Sequence, residues 1–462
     1  MPRTPDTPTP GLLLQILLSV LAFSTLLVGF SSNLWKASDA DLFEGAGMFE
    51  GAVVGRLIIS EREGITSYGG LPGWAIPTDR EAYDADPRQS QYNTYLKGLD
   101  IVRFVPYYSQ IGGQALFFSL LDRISPLDKS SNIRLFKIIT SAFSALVMTL
   151  FIVWISFEFG HFPSLVTLAS VIFSQYLTAF GSNLWFISAA FFLPMVAIIL
   201  MFHLQSEDRW QFGGVIDVFV FLAVLTKLVL NGFEFVSASL LMMFVPLAYF
   251  GIARRIESKR LLKYAVRWSL SAAFAVVVAL AVHSVQHALV SGSARSGIDH
   301  LVKSIEKRTM STKYNPRFSP EINEGLQANF LTVLKVYWKK DLISHELLGG
   351  IPVIWRVNRI LYGTAVKIFL CCSLFTLIRK RFRWKYLDEN EYRKDVGLNV
   401  AFLVSFIPTF SWYFLFKAHA HMHLDLDTLA WHMPLMLFGT ILAARTAESL
   451  ARVIRRISWS DS

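Results

Sequence analysis

Residues 12–30 read LLLQILLSVLAFSTLLVGF, and residues 37–44 read ASDADLFE. The first stretch is long enough to cross a bilayer, because about 20 apolar residues span the hydrocarbon core. We interpret it as a retained membrane anchor, since no cleavage site of small residues follows it. The second stretch places Asp39, Asp41 and Glu44 just beyond the membrane, where carboxylates are costly unless they stay hydrated or have a function.

The composition of the whole chain excludes an ordinary soluble protein. Apolar residues make up 53% of the 462 positions and charged residues only 17%, which is typical of a polytopic membrane protein. The net charge of +10 comes from short basic clusters beside apolar segments, so we expect no nucleic-acid partner. Cys371 and Cys372 are adjacent inside an apolar segment, which leaves the large loops without a disulfide framework.

Apolar segments recur along the chain at lengths that predict about ten membrane spans. Besides 12–30, they cover residues 134–157, 164–181, 184–204, 214–231, 234–252, 264–290, 359–378, 398–416 and 428–446. The expected fold class is therefore an all-α polytopic membrane protein. We expect residues 1–462 to form a single integral membrane domain.

The distribution of basic residues predicts the orientation of these spans. Clusters such as Arg254-Arg255, Arg379-Lys380-Arg381 and Arg455-Arg456 would be costly to translocate, so they indicate the cytoplasmic side. This orientation places the protein in the cytoplasmic (inner) membrane with both termini on the cytoplasmic side. It also places two large loops, residues 32–132 and 292–358, outside.

Helical spacing in the first loop predicts two short amphipathic helices on the outer membrane surface. The first runs through Leu42, Phe49 and Leu57, and the second covers residues 113–123. Two stretches between them, residues 69–73 (GGLPG) and 84–88 (DADPR), are expected to be turn-rich loop.

The acidic stretch after the first span has two interpretations. On a helix, Asp41 and Glu44 share a face, which suits a general base or a metal ligand. Alternatively, Ser38 or Asp39 is an N-cap, and Asp41 and Glu44 are first-turn acids that the helix dipole favours.

A second polar group lies near the outer end of a predicted span. Lys227, Asn231 and Glu234 share a helix face if the helix continues through them. A lysine in an apolar segment needs a partner. Glu234 supplies a counter-ion in one interpretation. In the other, Lys227 binds a lipid-linked phosphate, and Asn231 and Glu234 line the substrate cavity.

Three histidines follow the ninth predicted span, at positions 419, 421 and 423, with Asp427 and Trp431 close behind. If the segment is extended, the alternating His and Asp side chains share a face; if it is helical, only His419, His423 and Asp427 align. Three roles stay open for this segment. His419, His421 and His423 bind phosphate in the first. His419, His423 and Asp427 hold a divalent metal in the second, and the polar side chains are structural in the third. Trp431 is a candidate for the substrate cavity.

Other polar residues of the predicted outer loops are weaker candidates. Arg103 is a candidate for the donor phosphate, and Arg123, Arg295 and Arg308 are further cations that surface hydration explains equally well. Tyr108 and Gln110 precede a Gly-Gly pair that allows close backbone approach, so they are candidates for the substrate cavity.

This arrangement resembles the GT-C class of membrane glycosyltransferases, which use polyprenyl-phosphate-linked sugars. The likeness lies in one span, then Asp39 and Asp41 within about ten residues of its outer end, then a long outer loop, many spans and a second outer loop. It implies an acidic base in the first loop, either Asp39 or Asp41, acting on an acceptor hydroxyl. It also implies basic or polar residues that hold the donor phosphate.

The expected function is therefore an inverting glycosyltransferase at the outer membrane face, with a polyprenyl-phosphate sugar as donor and a glycan, lipid or protein as acceptor. A carboxylate at the membrane edge is a suitable base for a hydroxyl. Two alternatives stay open. One is a polymerase or ligase of lipid-linked glycans; the other is a secondary transporter, in which Lys227, Glu234 and His283 would relay ions.

Overall fold

The computed structural model describes residues 11–204, 213–306, 314, 316, 318–349, 359–379 and 389–460. Helices account for 78% of the structure, and seven of the described helical segments are long and apolar enough to cross a membrane. The predicted helical membrane fold is confirmed at this level. Three shorter apolar helices accompany the seven, and the count of ten spans stays a prediction. Arg308 and the basic residues at 380–385 lie outside the described residues.

The first part of the chain forms one long helix and then a mixed unit of short helices and two strands. Its elements are α1 (Leu12–Ser32), α2 (Ala40–Gly45), α3 (Glu50–Glu63), β1 (Gly73–Pro77), α4 (Arg80–Ala85), α5 (Pro87–Lys97), β2 (Ile101–Pro106) and α6 (Gly113–Ile124).

The middle of the chain is a series of apolar helices. They are α7 (Lys129–Phe159), α8 (His161–Ile172), α9 (Gln175–Ala179), α10 (Ser188–Leu204), α11 (Gly213–Asn231), α12 (Val236–Leu241), α13 (Phe244–Ala253) and α14 (Ser258–Ser291).

The last part of the chain begins with short helices and ends with long ones. They are α15 (Ala294–Glu306), α16 (Pro320–Gln327), α17 (Phe330–Trp338), α18 (His345–Gly349), α19 (Tyr362–Arg379), α20 (Glu389–Val404), α21 (Phe406–Leu415), α22 (Lys417–Met422) and α23 (Leu435–Ser460).

The two stretches predicted as turn-rich loop, residues 69–73 and 84–88, lie at the ends of short elements, and the prediction missed the strand β1 and the helix α4 between them. Strand β1 pairs antiparallel with β2, with Trp74 opposite Val105. Asp86 then caps α5, because its side chain accepts a hydrogen bond from the backbone N–H of Gln89. The Gly, Pro and Asp residues of these stretches mark the ends of short elements, which is where such residues are favoured.

Helix α3 is buried, so the prediction that it lies on the membrane surface was also wrong. Every residue from Glu50 to Ser60 is buried, because the helix packs against β1, α5 and α6. Small residues permit this close packing: a Cβ at Gly55 would lie 2.1 Å from the carbonyl oxygen of Gly73. The helical spacing of apolar residues correctly predicted the apolar face of α3. It did not predict that other parts of the protein also cover the opposite face of this helix.

Arg56 connects α3 to the loop that follows it. It is fully buried, and its guanidinium donates hydrogen bonds to the carbonyl oxygens of Gly64, Ile65 and Ser67 and to the Ser60 hydroxyl. Burial lowers the pKa of Arg56 to about 10, against a smaller opposing effect of Glu63. The side chain is therefore still cationic at neutral pH.

We expect Arg56→Met to destabilise the protein by about 3 kcal/mol or more, because it leaves several buried carbonyl groups without donors. Thermal unfolding of the purified protein in detergent measures the effect. Arg62→Met is the matched control, because Arg62 is one-third exposed and lies 3.9 Å from an exposed Asp100. An equal loss of stability in both variants would contradict the role given to Arg56.

The apolar helices pack in a bundle, and their contacts follow the chain closely. Helix α1 packs along α7, α7 along α10, α10 along α11, and α11 along α14. Helices α20 and α23 also pack against each other. The segments that follow α1, α11 and α21 and those that precede α10 and α23 meet at one end of this bundle, and the candidate site lies there.

Candidate functional site

A tight turn after α11 positions the first residue of the site. Helix α11 ends at Asn231, and Gly232 follows with a φ of 56°, a conformation that glycine adopts without strain. The buried Lys227 stabilises the turn, since its Nζ donates hydrogen bonds to the carbonyl oxygens of Gly232 at 2.8 Å and Glu234 at 2.5 Å.

The prediction that Lys227, Asn231 and Glu234 share one helix face was wrong, because the helix ends before Glu234. Lys227 binds backbone carbonyls in the turn instead. Asn231 pairs with the backbone of Ile187, whose N–H donates to Asn231 Oδ1 and whose carbonyl accepts from Asn231 Nδ2, both at 2.9 Å. Both side chains therefore support the site and do not line its cavity.

The segment before α10 forms the opposite wall of the site and is held by side-chain hydrogen bonds. Asn183 Oδ1 accepts from the backbone N–H groups of Trp185 and Phe186. Asn183 Nδ2 donates to the carbonyl oxygen of Ala46. These bonds join the segment to the first loop and direct the two aromatic rings toward the cavity.

Glu50 reinforces the same junction and is the buried acid of the first loop. Its Oε1 accepts from the backbone N–H of Leu184 at 3.0 Å, and its Oε2 accepts from the Tyr92 hydroxyl at 2.8 Å. Lys137 Nζ at 3.3 Å and Arg88 Nη2 at 3.6 Å balance its charge. Burial and the Glu50 carboxylate raise the pKa of Tyr92 well above its usual range. Glu50 is fully engaged in structural contacts.

The histidine segment is helical only from Lys417 to Met422, so neither the extended nor the continuously helical interpretation holds, and His423 and Asp427 lie beyond the end of the helix. In α22, His419 lies between two carboxylates: its Nδ1 is 3.0 Å from Asp427 Oδ2, and its Nε2 is 3.2 Å from Glu234 Oε2. All three residues are buried. We refer to Glu234, His419 and Asp427 as the carboxylate–imidazole cluster.

The two carboxylates control the charge of this imidazole. Burial lowers the pKa of His419, but Glu234 and Asp427 outweigh this effect and raise the pKa to about 10. His419 is therefore cationic at neutral pH. Each ring nitrogen then carries a hydrogen and can donate to one carboxylate.

A cavity of about 210 Å³ opens beside the carboxylate–imidazole cluster. Its lining combines two cluster residues, a second histidine, four aromatic rings and three aliphatic side chains. These are Glu234, His419, His423, Phe49, Tyr107, Trp185, Phe186, Ile322, Met422 and Leu426. The rings contact one another closely, with centroids 5.2 Å apart for Tyr107 and Trp185. The cavity therefore combines flat apolar walls with a charged group.

The structure does not bring the predicted first-loop acids to this cavity. Asp39, Asp41 and Glu44 are not among its lining residues, and Asp41 and Glu44 are exposed. Asp39 occupies the N-cap position of α2 without a capping side-chain hydrogen bond. Its Oδ1 instead accepts from the backbone N–H of Glu346 at 3.2 Å.

The other predicted site residues are dispersed around the cavity. Arg103 is exposed on β2. His421 Nε2 lies 3.4 Å from Glu324 Oε1 on the outer side of α22. Trp431 is buried and stacks on Tyr362 with a centroid distance of 5.7 Å, and it does not line the cavity.

Tyr108 and Gln110 do not line the cavity. They contact α14 and the turn after α11, respectively. The carbonyl oxygen of Tyr108 is 2.9 Å from His283 Nε2 and 3.2 Å from His287 Nε2, so both imidazoles donate to it. Gln110 is buried against the turn after α11, where a Cβ at Gly232 would lie 2.9 Å from its Cγ. The two histidines therefore have a packing role.

Within the described ranges, no group of three or more His, Cys, Asp or Glu side chains has the geometry of a metal site. His419 Nδ1 contacts Asp427 directly at 3.0 Å, and its Nε2 lies 3.2 Å from Glu234. The divalent metal stays an expectation from the sequence.

Ile322, Met422 and Leu426 were not predicted from the sequence as cavity residues, and neither were the four aromatic residues of the cavity: Phe49, Tyr107, Trp185 and Phe186. One local signal does mark two of them. The run Ser182-Asn-Leu-Trp-Phe186 places polar and aromatic residues between two apolar helices, where an aromatic residue at a membrane interface is common. The other two aromatic residues, Phe49 and Tyr107, line the cavity only together with residues that are far away in sequence.

Comparisons of this chain with known protein families, with curated proteins and with solved structures find no match.

Proposed function

We propose that this protein is an inverting glycosyltransferase that moves a sugar from a polyprenyl-phosphate donor to an acceptor hydroxyl in the cavity beside the carboxylate–imidazole cluster. The observation that carries the proposal is the arrangement of Glu234, His419 and Asp427. A carboxylate borders an aromatic cavity and is oriented by an imidazole, which a second carboxylate orients in turn. Such a series is suited to positioning a general base.

In the proposed reaction, the Glu234 carboxylate accepts the proton of the acceptor hydroxyl. The hydroxyl oxygen then forms a bond to the anomeric carbon of the donor, and the bond from that carbon to the phosphate oxygen breaks. The electron pair leaves with polyprenyl phosphate, and the anomeric configuration inverts. His419 keeps the carboxylate in place, and Asp427 balances the charge of the imidazolium.

The aromatic walls suit the sugar, because the apolar C–H face of a pyranose ring packs against flat aromatic side chains. Trp185 and Tyr107 supply such surfaces. His423 borders the cavity beside His419, with ring centroids 4.4 Å apart, and we assign the donor phosphate to its side. His419 is engaged by two carboxylates, so its role changes from phosphate ligand, as expected from the sequence, to positioning residue.

The resemblance to GT-C enzymes assigns the base to Asp39 or Asp41, whereas the cavity geometry favours Glu234. Glu234 lies in a turn between two apolar helices, and under this proposal that turn lies at the outer membrane surface. A transporter places its coupling residues near the middle of the membrane, between broken helices.

Reconstitution of the purified protein in liposomes with polyprenyl-phosphate sugars tests the proposal. We expect release of polyprenyl phosphate that depends on an added acceptor, together with a glycoside of inverted configuration. Failure of a panel of such donors to release polyprenyl phosphate, accompanied by flux of a solute or ion across the same liposomes, would favour the transporter.

The proposal requires the cavity to face the outside, with ten spans and both termini in the cytoplasm. We therefore expect an impermeant thiol reagent to label Glu81→Cys but not Lys259→Cys in intact cells, in a background where Cys371 and Cys372 are replaced by Ser. Both positions are exposed in the structure. Labelling of Lys259→Cys alone would reverse the orientation and place the cavity in the cytoplasm.

A further inference from the structure

A second cavity of about 520 Å³ lies apart from the candidate site, between the end of α3, α6 and the start of α7. None of its lining residues borders the first cavity. Its lining includes three cationic side chains, Arg62, Arg123 and Lys129, and two carboxylates, Glu61 and Asp122. Nothing in the proposed transfer reaction uses these residues.

Both carboxylates of this second cavity already have partners. Asp122 Oδ1 accepts hydrogen bonds from the Tyr95 hydroxyl and from Asn132 Nδ2. Glu61 accepts from Lys129 Nζ at 2.6 Å. Lys129 therefore neutralises Glu61, whereas the partners of Asp122 are neutral, and the three cations and two carboxylates of the lining sum to a net charge of +1.

Arg123 has no carboxylate at ion-pair distance among the described residues, whereas the other two cations of the cavity do, and Arg62 lies 3.9 Å from Asp100. Arg62 donates to the carbonyl oxygen of Leu99, and Lys129 is paired with Glu61. Arg123 has no carboxylate or hydrogen-bond partner within the part of the chain that the structure describes. The cavity therefore presents a guanidinium that is available to an anion.

The rim beside Arg123 is apolar and exposed. Phe117, Leu120 and Ile124 form one ridge of α6, with 46%, 50% and 68% of their surfaces exposed, and Leu127 continues it. The start of α6 packs against the end of a membrane-spanning candidate, because a Cβ at Gly113 would lie 2.3 Å from Val229 Cγ1 of α11. Helix α6 thus begins beside the end of one membrane-spanning candidate and ends five residues before the start of another, α7.

We infer that this second cavity binds the phosphate of an anionic phospholipid, with Arg123 contacting the phosphate and an acyl chain lying along the ridge of Phe117, Leu120 and Ile124. The apolar ridge favours a lipid over a free phosphate. A basic side chain at a membrane surface attracts anionic lipid in this way, and an arginine can extend its apolar stem along the same surface. The inference does not depend on the proposed transfer reaction.

The test titrates the purified full-length protein, in a neutral detergent, with phosphatidylglycerol and counts bound lipids by native mass spectrometry. Arg123→Gln is compared with Arg134→Gln. Arg134 is also exposed and lies near the start of α7, but it does not line the cavity. We expect Arg123→Gln to weaken binding of the tightest phosphatidylglycerol about fivefold and Arg134→Gln to leave it unchanged.

Two comparison ligands separate a lipid site from a general anion site. Phosphatidylcholine and soluble glycerol phosphate should each compete poorly with phosphatidylglycerol. Equal binding by both arginine variants would overturn the assignment of Arg123. Competition by glycerol phosphate at the same concentration as the lipid would overturn the role of the apolar ridge. Thermal unfolding of both variants should match the wild type, because both side chains are exposed.

Discussion

Glu234→Gln is expected to lower the rate of sugar transfer about 10²–10⁴-fold, the usual contribution of a positioned general base. The substitution keeps the size of the side chain and leaves an amide oxygen that can still accept a hydrogen bond from His419. It removes the ability to take a proton from the acceptor hydroxyl. The measurement is kcat at saturating donor and acceptor, together with donor binding, which should be retained.

Glu324→Gln is the matched control for this prediction. Glu324 also lies beside a histidine of α22, with Oε1 3.4 Å from His421 Nε2, but its side chain is 74% exposed and does not line the cavity. Its loss should change kcat by less than about twofold, since exposed ion pairs contribute little. A similar fall in both variants would point to a general disturbance of α22.

Asp39→Asn and Asp41→Asn decide between the cavity geometry and the resemblance to GT-C enzymes. If Glu234 is the base, both variants retain transfer activity, because Asn is as good an N-cap as Asp and a first-turn charge contributes only about 0.3–1 kcal/mol. A loss of about a hundredfold in either variant, with Glu234→Gln fully active, would place the base in the first loop and refute the role given to Glu234.

Local sequence signals predicted the long helices, because these depend on the periodicity of single segments. The contact of His419 with Asp427 does not follow from such a period, because α22 ends at Met422 and Asp427 lies beyond it. The sequence also indicates the end of α11, because Asn231-Gly232 is a strong turn signal. This signal predicts that Glu234 does not share a helix face with Lys227. In the first loop, the spacing of apolar residues favoured a prediction of helices, and the strands β1 and β2 were not predicted.

Long-range contacts account for what the sequence did not predict. Glu50 appears in the same acidic stretch as Asp39 and Asp41, and nothing local distinguishes it. Its burial depends on Tyr92, Lys137 and Leu184, up to 134 residues away. The pairing of Glu234 with His419 joins the turn after α11 to helix α22 in the same way. Such contacts become visible only when the packing of the helices is known.

His419→Gln is expected to destabilise the protein by about 3–5 kcal/mol, because it leaves the carboxylates of Glu234 and Asp427 buried without their shared cation. Adding Asp427→Asn should restore part of this loss, since the double variant has one buried charge fewer. His421→Gln is the control, because His421 is one-third exposed and its partner is an exposed Glu324, so its cost should stay below about 1 kcal/mol.

The pH dependence of this stability provides an independent test. The pKa of His419 is raised from 6.5 to about 10 in the folded protein, so its stabilising contribution is fully present below pH 6.5 and is lost as the pH rises through 10. The difference in unfolding free energy between wild type and His419→Gln should therefore be largest near pH 6.5 and narrow toward pH 10. A difference in unfolding free energy that is constant across this pH range would mean that His419 stabilises the fold by packing alone. The assignment of a positive charge to His419 in the cluster would then be wrong.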